Sequence, residues 1–138
     1  ALEKLGVQRG LVVHCALREG GGMDELATAG VNHVRGVGEL RDVHGEWLPE
    51  DYGLETRPRE ELLGGKPDEN LRLFEELLDG GAPRGLRDTI AFNAGASLWV
   101  AGRAPSVRDG VTLANSLLET GAVKRFVSEL KAFYGSRA

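Results

Sequence analysis

The chain has 138 residues, 28% of them charged and 41% hydrophobic, with 17 basic against 21 acidic side chains and a formal charge of -4. This is the composition of one globular domain and excludes a disordered chain. The acidic balance, with no Lys/Arg cluster, argues against nucleic acid or an anionic membrane as partner, because both are bound largely through positive charge. No apolar run reaches the roughly 18 residues of a spanning helix. A lone cysteine, Cys15, fits a reducing, cytoplasmic setting.

In chain order, Ala1–Gly6 reads as the last turns of a helix stopped by glycine. Gly10–Cys15 is a short, β-branched apolar run, expected to be a parallel strand buried on both faces. With Met23 the only methionine and few partner strands in sight, the chain is expected to be a piece of something longer. Arg18–Gly22 is a glycine-rich loop. The alternation of His33–Leu40 predicts a second strand, and Glu46-Trp47-Leu48 a short returning partner after a turn at 42–45. Pro49–Tyr52 predicts one helical turn opened by proline.

Three helices are expected to fill the remainder. Pro67-Asp68-Glu69 places proline and two acids where a helix start favours them, and Leu71, Phe74, Leu77 and Leu78 share one face before Gly80-Gly81. A second helix, from about Arg87 to Ala101, is apolar nearly all round and so expected to be central. Ser106 and Asp109 form a capping pair for a third, with Val107, Val111, Ala114, Leu117 and Leu118 inward. Gly121 interrupts it, and Val123, Phe126, Val127, Leu130 and Phe133 continue a helical stripe. The class is α/β or α+β with a helical C-terminal half.

The sharpest candidate for chemistry is the adjacent pair Asp24 and Glu25, just after the glycine-rich loop beyond the first strand. Two neighbouring carboxylates suit a hard cation such as Mg²⁺, which keeps several waters and commonly shares its oxygens with substrate phosphates. On spacing alone, a solvated acidic start to a helical turn is the plainer reading of the pair. Gly20-Gly21-Gly22 lacks the lysine and hydroxyl of a P-loop, and is expected to supply flexibility or left-handed backbone. His14 and Cys15 point to opposite faces of their strand, and with His33 and His44 match no zinc spacing. Asn93 reads as a structural hydrogen-bonding residue, Trp47 and Trp99 as packing residues, and Ser97 has no hydrolase motif around it. Arg84, Arg87 and Arg103 fit a phosphate or a solvated face alike.

Five segments in order resemble anthranilate phosphoribosyltransferase sequences. Leu11-Val12-Val13-His14 followed by Gly22-Met23-Asp24-Glu25-Leu26 is similar to the family's strand and its "G-x-D-E" metal segment. Pro49–Leu54 resembles "P-E-D-x-G-L", Gly64–Asn70 resembles "G-G-x-P-x-E-N", and Asn93–Gly102 resembles "N-A-A-A-x-L-y-x-A-G". Gly110-Val111 and Gly121-Ala122 match the closing elements. The resemblance covers essentially the whole chain. It implies the C-terminal part of a nucleoside phosphorylase/phosphoribosyltransferase catalytic domain, with residues 1–138 a partial domain lacking the N-terminal helical domain and the "G-T-G-G-D" phosphoribosyl pyrophosphate loop.

The implied reaction, in tryptophan biosynthesis, transfers phosphoribosyl from phosphoribosyl pyrophosphate to anthranilate and releases pyrophosphate. The resemblance further implies a homodimer for the complete enzyme and Mg²⁺ held on pyrophosphate by Asp24 and Glu25. The passage from His14 to Glu25 is longer than the family's usual "H-G-x-G-x-D-E". With so few of the substrate-binding elements present, the chain alone is expected to be inactive. The alternative is a non-catalytic, partner-binding module of the same fold.

Overall fold

The computed structural model describes residues 2–135. A four-stranded sheet carries one layer, in the order β2-β1-β3-β4, from β1 (Arg9–Leu17), β2 (Gly22–Met23), β3 (Gly30–Gly38) and β4 (His44–Trp47). Helices α1 (Pro67–Asp79), α2 (Arg84–Val100), α3 (Val107–Glu119) and α4 (Ala122–Gly135) come after it. This is the mixed α/β architecture with a helical C-terminal half that the element order implied.

The first strand departs from expectation. Every pairing in the sheet is antiparallel, and β1 is not buried on both faces, since Val12 is 50% exposed and His14 is open to solvent. An apolar run carries no information about the direction of its neighbours; the turns decide it. After β1 the N–H of Gly20 donates to the Leu17 carbonyl and the N–H of Leu17 to the Gly21 carbonyl, both at 3.1 Å. Gly20 and Gly21 take φ of 92° and 82°, open to glycine at little cost, and the chain folds straight back as β2. The glycine-rich loop therefore makes a hairpin.

The opening segment is a 3-10 turn over Leu2–Leu5, closed by Gly6 at φ 78°; Ala1 lies outside the described residues. Both later strands begin earlier than expected, β3 at Gly30 and β4 at His44, and β4 ends at Trp47. Pro49–Tyr52 is a 3-10 turn ended by Gly53 in the left-handed region. The start of α2 is Arg84, three residues before the expected Arg87, because Pro83 fixes an extended backbone immediately ahead of it.

The core sits between α2 and one face of the sheet, closed from the side by α3. Val34 and Trp47 from the strands meet Leu26, Leu54, Ala91, Phe92 and Ala96, with Val107, Val111 and Ala114 from α3. Phe92 is fully buried, its ring 5.1 Å from Tyr52, which is 4.9 Å from Trp47. Trp99 lies 6.4 Å from Trp47, so both tryptophans pack as expected. Ser106 Oγ accepts from the Asp109 N–H at 3.1 Å, the expected cap of α3. Burial of the helices is less complete than expected. Leu117 is 38% exposed, Ile90 is 36% exposed, and no residue of α4 is buried. Their apolar stripes are real, but α1 and α4 cover them only in part.

Candidate functional site

The two acids stand where the hairpin leaves them. Because β2 runs back along β1, with Met23 opposite Cys15, Asp24 and Glu25 lie beside the middle of β1 and not beyond its end. Both are exposed. Asp24 Oδ1 is 3.8 Å from His14 Nδ1. Glu25 Oε2 receives a long contact of 3.5 Å from the Asn93 amide.

The three residues after the acids are held tightly. Asn93 of α2 accepts from the Leu26 N–H at 3.1 Å and donates to the Leu26 carbonyl at 2.6 Å and the Thr89 carbonyl at 2.9 Å. Asn32 of β3 accepts from the Ala27 N–H at 2.7 Å and donates to the Ala27 and Trp47 carbonyls. Thr89 accepts from the Thr28 N–H at 3.1 Å, and the two hydroxyls meet at 3.0 Å. Consecutive residues of a buried non-strand segment thus have their backbone satisfied by side chains, as burial of such a segment requires. Asn93 bonds backbone, as its sequence context implied, but its place under the acids is visible only in the fold. Sequence reasoning misses Asn32, Thr28 and Thr89. A polar residue within the inward series Gly30, Asn32, Val34 is the signal that could have found one of them.

Cys15 is fully buried behind this segment, its sulfur 4.0 Å from the Ala27 carbonyl. Burial pushes its thiol pKa up, and the nearby Glu25 charge adds to that. Such a thiol is a packing group, not a nucleophile. His14 on the opposite face stands directly across the ladder from His33, their rings 6.5 Å apart and 13° from parallel. Sequence spacing separates these two residues; strand register brings them together. Arg84 and Arg87 are taken up by Asp88 at 2.9 Å and Glu119 at 2.6 Å.

Among the described residues no three His, Cys, Asp or Glu side chains are grouped closely enough to cage a metal ion. Asp24 and Glu25 can offer only an open site of hard oxygens, with the remaining positions left to water or a ligand.

The sequence matches the glycosyl transferase family, a/b domain, over residues 1–124. The chain belongs to that family. Its relatives are anthranilate phosphoribosyltransferases, as the motifs suggested. That of Rubrobacter xylanophilus is 41% identical over 142 residues, covering 100% of this chain and 40% of the relative. That of Thermus thermophilus is 42% identical over 138 residues, covering 96% of this chain and 38% of the relative. The crystal structure of the Thermus thermophilus enzyme superposes with a TM-score of 0.82 at 41% identity, over 96% of this chain and 37% of that one. A Saccharomyces cerevisiae anthranilate phosphoribosyltransferase in complex with PRPP and Mg shares the fold, with a TM-score of 0.67 at 22% identity, over 83% of this chain and 32% of that one. This glycosyl transferase a/b segment spans about two fifths of the length of the curated relatives it matches.

Proposed function

We propose that this glycosyl transferase segment works within an anthranilate phosphoribosyltransferase of tryptophan biosynthesis, as part of its catalytic domain, and contributes Asp24 and Glu25 to bind Mg²⁺ on phosphoribosyl pyrophosphate. The observation that carries this reading is the acid pair itself. Two solvent-facing carboxylates come directly after the hairpin, and the Asn93, Asn32 and Thr89 bonds anchor the next three residues, so the acids have a fixed base and exposed oxygens. Donors of that kind fit a hard cation.

In the transfer, the anthranilate amine forms a bond to the ribose anomeric carbon while the bond from that carbon to pyrophosphate breaks. Pyrophosphate leaves with the electron pair, and the amine gives up a proton. When bound, Mg²⁺ offsets negative charge developing on the departing pyrophosphate. The chain's own contribution is positional: Asp24 and Glu25 fix where that charge is met, and the Asn93 clamp on Leu26 keeps them beside β1. The elements that would bind anthranilate and the rest of phosphoribosyl pyrophosphate lie outside this segment on the family pattern, and so does the dimer contact. A cytoplasmic setting agrees with the single buried thiol. Among the described residues no helix is long and apolar enough to cross a membrane.

The test is loss of anthranilate fluorescence with phosphoribosyl pyrophosphate and Mg²⁺. The complete polypeptide is expected to turn over, the 138-residue chain alone not to, and Asp24→Asn with Glu25→Gln in the complete polypeptide to lose most of the rate at subsaturating Mg²⁺. Turnover by the chain alone overturns the inactivity. A complete, folded polypeptide that consumes no anthranilate leaves the non-catalytic, partner-binding module.

A further inference from the structure

The outward face of the sheet carries a row of four polar side chains that runs across the strands. His14 of β1 stands opposite His33 of β3, and His33 stands opposite Glu46 of β4. The β1–β2 register, with Cys15 opposite Met23, puts Asp24 opposite His14 at the next step. One line therefore reads Asp24, His14, His33, Glu46, all of them exposed. Side chains directly opposed across a ladder are the ones that interact most closely in a sheet. Here each imidazole turns Nδ1 to the carboxylate on its own side, His14 to Asp24 Oδ1 at 3.8 Å and His33 to Glu46 Oε1 at 3.9 Å. The four groups do not converge on a common point, in keeping with the lack of any metal cage among the described residues. The row orients its ends.

The His14 ring is held on two sides. Toward β2 it lies over Gly22, where a Cβ would collide with its Cε1 and Nε2 atoms, so the ring fills the space a side chain would take. Toward β3 it meets the His33 ring, 6.5 Å away and 13° from parallel. Asp24 has no such packing, since its side chain is fully exposed. An exposed side chain samples several rotamers, and ordering it for ligation costs conformational entropy. Among the described residues the one ion pair that Asp24 makes is with His14. Glu25 has a different neighbour, the Asn93 amide at 3.5 Å. The two acids are thus approached from two different elements, Asp24 from β1 and Glu25 from α2.

We propose that His14 is a positioning residue for Asp24: its Nδ1–H holds one carboxylate oxygen and leaves the other to the cation. This rests on the reading of Asp24 and Glu25 as Mg²⁺ ligands. At 3.8 Å the contact is longer than a hydrogen bond, and the exposed Asp24 side chain closes it by rotating toward a ring that is already fixed. Carboxylates that ligate a metal are themselves commonly hydrogen-bonded, because a held oxygen aims its partner oxygen and spares the cation the cost of ordering it. Nε2 of the same ring faces Gly22 and not the acid, so the two ring nitrogens have separate tasks. His33 and Glu46 act one step further out by backing the His14 ring.

The test compares His14→Asn with His14→Gln in the complete polypeptide. The asparagine amide can donate from the place of Nδ1, whereas the glutamine amide reaches the place of Nε2. Binding of Mn²⁺, as a stand-in for Mg²⁺, is read from loss of the free-ion electron paramagnetic resonance signal. His14→Asn should bind within about twofold of the unaltered protein and His14→Gln about tenfold more weakly, the usual scale for a group that orients a metal ligand. In the anthranilate assay the half-saturating Mg²⁺ concentration should rise for His14→Gln by a similar factor, with the rate at saturating Mg²⁺ nearly unchanged. Equal Mn²⁺ affinities for the two variants, whether both kept or both lost, overturn the proposal. If His14→Gln does not fold, Gly22→Ala replaces it, since the added methyl displaces the ring with His14 intact; unchanged Mn²⁺ affinity there overturns the proposal as well. Asp24→Asn separates the two readings. Weaker Mn²⁺ binding in Asp24→Asn with none in His14→Gln faults the positioning role alone, while unchanged binding in Asp24→Asn faults the metal reading and the positioning role with it.

Discussion

Asn93 shows how one side chain can be structural and still set a functional geometry. Its amide satisfies both backbone groups of Leu26, and the acids sit immediately before that residue. Asn93→Ala removes an acceptor and a donor from a partly buried segment and is expected to cost on the order of 1–3 kcal/mol, read as a lower denaturant midpoint. Asn93→Asp keeps the acceptor for the Leu26 N–H but sets a carboxylate against the Leu26 carbonyl, and should be worse than alanine. Either change should also weaken Mg²⁺ binding by the complete polypeptide, because the acids lose their anchor. Tyr52 carries the clearest pH dependence. Burial first, then the Asp51 charge, pushes its phenol from 10.0 up to about 12. The unfolded chain therefore loses this proton first, so stability present below pH 10 should fall as pH rises from about 10 to about 12. Thermal melts across that window should show the fall, and Tyr52→Phe should remove its part of it.

Among elements, the contact between α2 and α3 depends on glycine. A Cβ on Gly110 would come within 2.3 Å of the Gly95 carbonyl oxygen, which is backbone and cannot swing away. Gly110→Ala should force the helices apart at a cost of about 1–3 kcal/mol, measurable as a drop in melting temperature. At the start of α2, Asp88 is 1% exposed and Arg84 is its bonded partner. Arg84→Ala strands a buried carboxylate and should destabilise by about 2 kcal/mol, with Arg84→Lys recovering part of the loss. Helices were legible because their signals are local: Pro67, the Ser106–Asp109 cap, and Gly80 and Gly121 after α1 and α3 need no knowledge of the rest of the chain. Strand direction was not legible. The apolar run at Gly10–Cys15 is compatible with either direction, and only the hairpins made by Gly20-Gly21 and by the turn after Gly38 choose antiparallel.

For the whole molecule, the described surface has two kinds of apolar exposure with different meanings. Phe126, Leu130 and Phe133 on α4 are 43–61% exposed along one helix, the outcome of an amphipathic stripe with little packed on it. The Leu11–Val13 edge adds to its apolar side chains a backbone side that no strand among the described residues pairs with. On the proposed function, the complete polypeptide should be more stable than this segment, and its melting temperature should rise further with phosphoribosyl pyrophosphate and Mg²⁺ together, since ligands that bind only the folded state stabilise by mass action.

By itself the sequence determined the class, the helical C-terminal half with the Pro67 start and the Ser106–Asp109 cap, the family, and the pair Asp24 and Glu25 as the residues worth testing. All of these are written in local spacing or in short motifs. The tertiary structure decided that the acids lie beside β1, that Asn93, Asn32 and Thr89 anchor the segment after them, that His14 faces His33, and that one side of β1 is left open. Those facts depend on register and on which elements meet, and residues 67 positions apart such as Leu26 and Asn93 become neighbours only when the chain closes on its core.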